Sequence, residues 1–495
     1  MPTATSRRRF LKCLGAGAAA LAVPRALTAA AAARAAGAGP NRPNLLFIFA
    51  DDQTFEAVRA LGNDEVITPN LDRLVRGGTT FTHAYNQGSW SGAVCIASRT
   101  MLNTGLYLWH ASRVYKHTDK EFRERGRMWG QLLQKAGYDT YFSGKWHVKA
   151  DAEKTFNHVK HVRPGMPNQT SEGYNRPKQG KPDPWQPWDE SRGGYWKGGK
   201  HWSEVLGDDA VEFLGQAAAC DDPFYMYLAF NAPHDPRQSP KAYVNKYPLD
   251  KIDVPENFLP EYPYKDAIGC GKGLRDEKLA PFPRTPYSVK VHRQEYYAII
   301  THMDAQIGRI LNALDKSGKA DNTIIFFSAD HGLAVGHHGL IGKQNLFDHS
   351  VRVPLVVTGP GVAKGKRIDA PVYLQDIMPT TLDLAGAPIP AHVQFRSLMP
   401  LIRGQRDGAR DAIYGGYLGV QRMVTAGGFK LLLYPKAGKA LLFDLAKDPL
   451  EMHDLASEPS QRPRMRALAK VLARLQKETG DDLDLAEAFP DLFGG

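Results

Sequence analysis

The stretch that decides the fold runs from Asn44 to Ala50, reads NLLFIFA, and is followed directly by Asp51 and Asp52. An unbroken apolar run of this length, rich in branched and aromatic side chains, is typical of a strand that is buried on both faces. Three more runs of this kind follow, at Tyr138–Ser143, Pro223–Phe230 and Thr323–Ala329. Together the four runs predict the buried strands of one central sheet.

Helical patterns lie between these runs. Apolar residues recur at helical spacing after Pro69, over Arg127–Ala136 and over the longer segment Arg293–Leu314. Strands that alternate with helices usually form a parallel sheet, because each helix carries the chain back to the starting edge. We therefore predict an α/β fold with a mostly parallel central sheet and helices on both of its faces.

The last part of the chain follows a different pattern. Short apolar segments between Asp411 and Asp444 alternate with turn residues such as Gly427 and Gly438, which is typical of an antiparallel sheet. Pro463–Gln476 has the composition of a terminal helix that packs on that sheet. We expect three units, namely a leader over residues 1–40, an α/β domain over residues 43–380, and a smaller C-terminal subdomain over residues 381–495.

Residues 1–40 have the features of an export signal. Three consecutive arginines precede Phe10, and an alanine-rich apolar run extends from Cys13 to Val23. The paired arginines resemble the twin-arginine signal, which addresses folded proteins to a bacterial export machinery. The apolar run is shorter than the ~20 residues that span a bilayer, so an N-terminal anchor is the weaker alternative. We expect a periplasmic or secreted protein without a membrane span in the mature chain.

Composition and net charge limit the class of protein and the kinds of molecule that it can bind. The chain of 495 residues is 43% hydrophobic and 23% charged, which excludes a mostly disordered protein. Its formal charge is +11, but residues 1–40 hold six basic and no acidic residues, which leaves 57 basic against 52 acidic residues elsewhere, or +5. This mild surplus contains no dense basic run, so we expect no nucleic-acid partner. It is compatible with an anionic substrate.

Side chains that can act in catalysis or bind a metal follow each buried run. In chain order they are Asp51 and Asp52, Lys145 and His147, His234, and Asp330 and His331. Ligands of parallel sheets bind beyond the carboxyl ends of the strands, so we expect these side chains to share one site. Three carboxylates would repel one another without a cation, and oxygen ligands favour Ca²⁺, with Mg²⁺ as the second choice. His331 is a candidate fourth ligand, or alternatively a capping or core histidine.

A set of ordered motifs points to one family. Ser91–Thr100 reads SGAVCIASRT and is followed by MLNTG, which resembles the sulfatase signature Cys-x-Pro-Ser-Arg before a helix that ends in Thr-Gly. Further motifs of the family follow its order, namely NLLFIFADDQ at 44–53, TPNLDRL at 68–74, GKWH at 144–147, APHDP at 232–236, SADHG at 328–332, VRVPL at 351–355 and QDIMPTTLDLA at 375–385. The chain resembles a type I sulfatase of the alkaline-phosphatase superfamily. Its Asp330-His331 pair is closer to the iduronate-2-sulfatase-like branch.

The resemblance implies a modified residue and a metal. By position, Cys95 matches the cysteine that is oxidised to Cα-formylglycine, whose hydrate supplies an oxygen nucleophile for sulfur. The alternative is that Cys95 is an unmodified, buried structural cysteine. The Ca²⁺ ligands of the family match Asp51, Asp52, Asp330 and His331.

The resemblance also implies roles for five further residues. Arg99 matches the group that holds the modified residue, and Lys145 and Lys343 match the clamps of the sulfate oxygens. His147 matches the base that drives breakdown of the sulfated hemiacetal, and His234 matches the proton donor near the leaving oxygen.

A formylglycine maturase is the partner that this chemistry requires. The family usually has Pro where this chain has Ala97. The aerobic formylglycine-generating enzyme depends on that Pro, whereas the radical-type maturase accepts Ala, so the sequence leaves the type of maturase open. Cys220 and Cys270 either pair with each other or are both free and buried.

A sulfated carbohydrate is the substrate class that we expect, because export suits a glycan too large to enter the cell. The segment Lys154–Trp202 is rich in glycine, proline and tryptophan, and its tryptophans either stack on sugar rings or attach the loop to the body of the protein. Two other functions remain open. One is a phosphonate monoester or phosphodiester hydrolase of the same superfamily, and the other is a catalytically silent protein that binds sulfated glycans.

Overall fold

The computed structural model describes residues 42–163, 165, 170–195 and 199–494. The export signal predicted for residues 1–40 and Trp196 of the tryptophan-rich loop lie outside these ranges. None of the helices in the described ranges is both long and apolar enough to cross a membrane.

Strands β1 to β14 occupy two sheets. Their bounds are β1 Asn44–Ala50, β2 Thr79–Tyr85, β3 Gly88–Ser89, β4 Asp139–Lys145, β5 His158–Arg163, β6 Phe224–Ala229, β7 Thr323–Ala329, β8 Arg352–Thr358, β9 Lys366–Ile368, β10 Val372–Tyr373, β11 Ala412–Tyr417, β12 Gln421–Ala426, β13 Phe429–Tyr434 and β14 Lys439–Asp444.

Helices α1 to α12 surround and connect these strands. Their bounds are α1 Pro69–Gly77, α2 Val94–Thr104, α3 Leu108–Val114, α4 Trp129–Lys135, α5 Trp202–Ala218, α6 Lys241–Val244, α7 Pro286–Lys316, α8 Asp348–Val351, α9 Ile377–Leu384, α10 Met399–Ile402, α11 Arg462–Thr479 and α12 Pro490–Phe493.

The large sheet has the strand order β10-β2-β8-β7-β1-β6-β4-β5, and β9 pairs with β2. Strand β1 lies at its centre, parallel to β6 and β7, with Leu45 opposite Tyr225 and Ile324. All seven residues of β1 are buried, as its apolar sequence predicts. Among the described strands of this sheet, only β8 runs antiparallel to its neighbours β2 and β7, so the prediction of a mostly parallel central sheet is confirmed. The carboxyl ends of β1, β4, β6 and β7 consequently meet at one edge.

The second sheet has the order β14-β13-β12-β11-β3, and its four C-terminal strands are antiparallel to one another. Strand β3, which precedes α2 in the chain, pairs in parallel with β11 and so joins the two parts of the fold. Helix α11 contributes Leu468, Leu472 and Leu475 to the apolar core of this sheet. The predicted antiparallel sheet and terminal helix are both confirmed.

Two local expectations need correction, and one open alternative is decided. Lys154–Trp202 is not irregular throughout, because β5 pairs in parallel with β4; its sequence HVKHVR is only partly buried, which hides an edge strand from a search for apolar runs. Helix α7 begins before Arg293, because Thr285 caps it by accepting a hydrogen bond from the Ser288 N–H at 3.1 Å. Of the two alternatives for Cys220 and Cys270, the one without a disulfide holds: the Cys270 thiol is buried and donates to the Gln344 carbonyl at 3.1 Å, whereas Cys220 is only partly buried.

A buried lysine connects the two sheets. The Lys430 ammonium group on β13 contacts Asp348 of α8 and lies 2.7 Å from Oε1 of Glu451. Its side chain is fully buried. The backbone N–H of Asp348 donates to Glu451 Oε2 at 2.7 Å, which completes the network.

We expect Lys430→Ala to lower the free energy of unfolding by roughly 3–5 kcal/mol, because it leaves two buried carboxylates without their cation. A urea titration of the variant beside the exposed control Lys436→Ala measures the difference. Equal stability of the two variants would show that the network does not hold the sheets together.

Candidate active site

All ten predicted site residues lie in one connected network at the carboxyl edge of the large sheet. Asp51 and Asp52 follow β1, Lys145 ends β4, and Asp330 follows β7. Cys95 and Arg99 come from α2, which approaches this edge with its N-terminal end. The remaining members, His147, His234, His331 and Lys343, lie on the loops beyond the strands.

The carboxylates of Asp52 and Asp330 face the imidazole of His331. Nε2 of His331 lies 3.1 Å from Oδ1 of Asp52 and 3.5 Å from Oδ1 of Asp330. The Asp52 N–H also donates to Asp330 Oδ1 at 3.1 Å. Asp52 has a φ of 67°, a left-handed conformation that Asp tolerates better than most residues.

The donor set of this cluster fits a hard cation. Oδ1 of Asp51, Oδ1 of Asp52 and Nε2 of His331 are buried and find no hydrogen-bond partner in the described part of the chain. Nδ1 of His331 donates to the Gly332 carbonyl at 2.9 Å, so in the neutral ring the lone pair of Nε2 points toward the carboxylates. A cation among these atoms would satisfy all three, and oxygen ligands with one imidazole suit Ca²⁺ or Mg²⁺.

The ionisation of Asp52 supports the same interpretation. The pKa of its carboxyl is raised to about 8, chiefly by burial and also by Asp51 and Asp330, although His234 and Lys343 oppose the rise. A carboxylate with this pKa gains its negative charge at neutral pH when a nearby cation offsets the cost of burial.

Three basic side chains balance the three carboxylates. Nε of Arg99 lies 3.0 Å from Oδ2 of Asp330, the Lys145 ammonium contacts Asp51, and Nζ of Lys343 lies 2.7 Å from Oδ2 of Asp52. With all six ionised, these side chains sum to zero charge. A divalent cation would therefore give the centre a positive charge, which suits an anionic ester.

Cys95 is the second residue of α2 and is 2% exposed. Its Sγ lies 3.2 Å from Nδ1 of His147. Burial by itself would raise the pKa of the thiol, but the nearby Lys145 and His331 bring it below the ordinary value. The first turn of a helix favours negative charge as well, so residue 95 occupies a place suited to a nucleophile.

The two histidines that flank the centre have different surroundings. Burial, followed by Lys145 and Arg99, lowers the pKa of His147 to about 3, so its imidazole is neutral and can accept a proton. Nδ1 of His234 faces the Asp235 carbonyl at 2.8 Å and the Asp235 carboxylate at 3.0 Å. Nε2 of His234 lies 2.6 Å from Nζ of Lys343.

Sequence reasoning missed Arg275 and Asp276, which support this centre from outside. The guanidinium of Arg275 binds both oxygens of Asp235, at 2.7 and 3.0 Å, and so holds the carboxylate that faces His234. Oδ2 of Asp276 lies 3.5 Å from Nζ of Lys343. Both residues lie in a segment without a recognisable motif, so no sequence signal could have found them.

Two family comparisons match this chain. The family described as sulfatase matches residues 43–387, and the family described as the C-terminal region of N-sulphoglucosamine sulphohydrolase matches residues 336–478.

Two curated relatives and two solved structures are similar to this chain, and each similarity covers most of both chains. An arylsulfatase of Clostridium perfringens is 28% identical, covering 88% of this chain and 94% of the relative. An N-acetylglucosamine-6-O-sulfatase of Bacteroides thetaiotaomicron is 25% identical, covering 92% and 90%. A solved protein bound to its substrate D-glucosamine-2-N,6-O-disulfate has a TM-score of 0.71 at 23% identity, covering 89% of this chain and 99% of that one. A phosphonate monoester hydrolase of Agrobacterium radiobacter has a TM-score of 0.70 at 23% identity, covering 88% and 96%.

Proposed function

Because the chain belongs to the sulfatase family and is a type I sulfatase that hydrolyses sulfate esters, we propose that it acts on a sulfated carbohydrate through a Ca²⁺ site and a formylglycine made from Cys95. The observation that carries this proposal is the buried set of unpartnered ligand atoms on Asp51, Asp52 and His331 beside Cys95.

Asp51, Asp52, Asp330 and His331 are the residues that would hold the cation. Asp51, Asp330 and His331 each place a ligand atom within 4.8 Å of the others, together with the sulfur of Cys95. We take Ca²⁺ as the first choice and Mg²⁺ as the second, since both prefer oxygen ligands. Bound there, the cation would act as a Lewis acid toward oxygens at residue 95 and the ester.

Lys145 and Lys343 would bind the sulfate oxygens. Each ammonium group has three donors; the bond from Lys145 to Asp51 leaves two of them for a ligand, and the contacts of Lys343 with Asp52 and His234 leave one. Burial and the positive charges of Arg99 and the cation would strengthen these contacts as charge develops during the reaction.

Formylglycine at residue 95 would supply the oxygen nucleophile that a thiol lacks. Arg99 fixes the positions of two neighbours of residue 95, because its Nη1 donates to the Lys145 carbonyl at 2.7 Å and its Nε binds Asp330. A formylglycine maturase is therefore a proposed partner. Export through the twin-arginine machinery to the periplasm or the exterior is proposed from residues 1–40 alone.

His234 and His147 would divide the proton transfers. With Nδ1 held by Asp235, His234 directs Nε2 toward Lys343, and this pair can give a proton to the departing alcohol. His147, neutral and 3.2 Å from Cys95, can take a proton from the group at residue 95 when sulfate is released.

We expect the two histidine variants to fail differently. His234→Ala should lower kcat/KM for a sugar sulfate at least about 100-fold, but far less for an aryl sulfate whose phenol leaves without a proton. His147→Ala should release one equivalent of phenol per enzyme in a burst and then nearly stop. Stopped-flow assays with both substrates measure this, and equal losses by His234→Ala on both would exclude it as the proton donor.

Carbohydrate is the proposed substrate class because the relatives include an N-acetylglucosamine-6-O-sulfatase. A desulfation screen over sulfated glycans tests it, with protein produced beside a competent maturase. The assignment to the iduronate-2-sulfatase-like branch stays a prediction from Asp330-His331.

A phosphonate or phosphodiester hydrolase is the second candidate, favoured by the Agrobacterium radiobacter hydrolase of similar fold. Parallel assays with an aryl sulfate, an aryl phosphodiester and a phosphonate monoester separate the two. The proposal requires the sulfate to be the best substrate by kcat/KM, and a preference for either phosphorus ester would contradict it. A silent binder would hydrolyse none of the three.

A further inference from the structure

A cavity of about 450 Å³ lies beside α7, and no residue of the carboxylate cluster lines it. It is bounded by the tryptophan-rich loop, by α7, and by the segment that follows α6. Its aromatic and polar lining includes Trp185, Trp188, Tyr247, Tyr287, Asn245 and Gln294. The volume falls within the range of roughly 300–1,000 Å³ that small-molecule sites occupy.

The cavity is separate from the active site but close to it. Glu295 and Tyr296 are consecutive residues of α7. Glu295 lines the cavity, whereas the Tyr296 hydroxyl donates to the backbone carbonyl of Asp52 at 2.7 Å. One turn of the helix therefore contacts both places.

The charged groups of the cavity are engaged with one another. Arg176 is buried and binds both carboxylate oxygens of Glu295, at 2.7 and 2.8 Å. It also binds Asp183 through Nε at 3.0 Å and Nη2 at 2.6 Å. Because the guanidinium already serves two carboxylates, it has little capacity left for a sulfate group. The cavity suits an uncharged ligand.

The aromatic lining determines which uncharged ligand fits. The partly exposed rings of Trp188 and Tyr287 can pack against the C–H face of a sugar ring. The Asn245 amide can bind its hydroxyl groups, as can Oε1 of Gln294, whose Nε2 already donates to the Tyr247 carbonyl at 2.6 Å. Lys241 lies with Nζ 5.1 Å from the centre of the Trp188 ring and helps to fix that ring in place. We infer that the cavity is an auxiliary site that binds an unsulfated sugar residue of a glycan substrate.

The link to turnover rests on the proposed carbohydrate activity, whereas binding itself does not. A glycan held at this cavity as well as at the active site would raise the local concentration of its sulfate ester. Truncation of Trp188 should then raise KM for a polymeric glycan at least about tenfold and leave kcat/KM for an aryl sulfate unchanged.

A fluorescence titration of the whole protein tests the binding step directly. The probes are three uncharged oligosaccharides, tri-N-acetylchitotriose, cellotriose and mannotriose. We expect at least one probe to bind to the wild type and to Cys95→Ala. Its affinity should fall at least about tenfold in Trp188→Ala and recover in Trp188→Phe. Lys246→Ala, which changes an exposed neighbour of the cavity, is the matched control and should bind like the wild type.

Absence of binding by all three probes, or equal binding by Trp188→Ala and the wild type, would overturn the inference. Binding that depends on Trp188 would uphold the site even if no glycan were desulfated, in which case the carbohydrate substrate, and not the cavity, would be the part that fails.

Discussion

Replacement of Cys95 by alanine is expected to lower sulfate-ester hydrolysis at least about 1,000-fold while the protein stays folded. The side chain at this position lies at the N-terminal end of α2, 3.2 Å from His147, and Lys145 and His331 favour negative charge on it. Alanine lacks the thiol that the maturase oxidises, so no aldehyde, and therefore no hydrate oxygen, can form at this position. The cation site and the sulfate clamps remain, so binding of the ester should persist.

The matched control for this variant is Cys220→Ala, which replaces a second cysteine between α5 and the amino end of β6. Initial rates with an aryl sulfate and thermal unfolding of both variants give the comparison. Retention of more than a small fraction of the activity in folded Cys95→Ala would mean that residue 95 is not the nucleophile.

The second large effect concerns the cation. Asp330→Asn keeps the shape of the side chain but removes its charge, and Oδ2 of Asp330 is also the partner of Arg99. We expect the bound metal to fall from one ion per chain toward none, with a loss of activity of at least about 100-fold. Elemental analysis of the purified variant measures the metal directly. Asp304→Asn, which alters a buried aspartate that accepts hydrogen bonds from Asn70 and Leu71, is the matched control.

Chelation of the wild type tests the identity of the ion. Exhaustive removal of the bound metal should abolish turnover, and added Ca²⁺ should restore turnover better than added Mg²⁺. A stoichiometric transition metal in the active protein, or full activity after chelation, would contradict the assignment.

The parts of the fold that the sequence predicts are those with an unmistakable local pattern. Strands β1 and β7 end where their apolar runs end, so the apolar pattern alone places Asp51, Asp52, Asp330 and His331 at one sheet edge. Strand β5 escapes such a search because an edge strand needs only partial burial.

The contact by which Arg275 holds Asp235 could not be predicted from the sequence either, because it joins residues that are far apart in the chain. Arg275 holds Asp235, but the two residues are 40 positions apart and Arg275 follows no buried strand. A contact of this kind is created by the folding of irregular segments, and neither periodicity nor spacing records it. The cavity beside α7 depends on tertiary packing in the same way, although the tryptophans that line it are visible in the sequence.

The mass of the peptide that contains residue 95 tests the central claim most directly. Protein fractions that differ in specific activity, prepared with and without a formylglycine maturase, would be digested and the converted fraction at residue 95 determined for each. The proposed chemistry predicts that activity rises in proportion to the converted fraction and extrapolates to zero when every chain carries the unmodified thiol. Full activity in fractions whose Cys95 is entirely unmodified would contradict it.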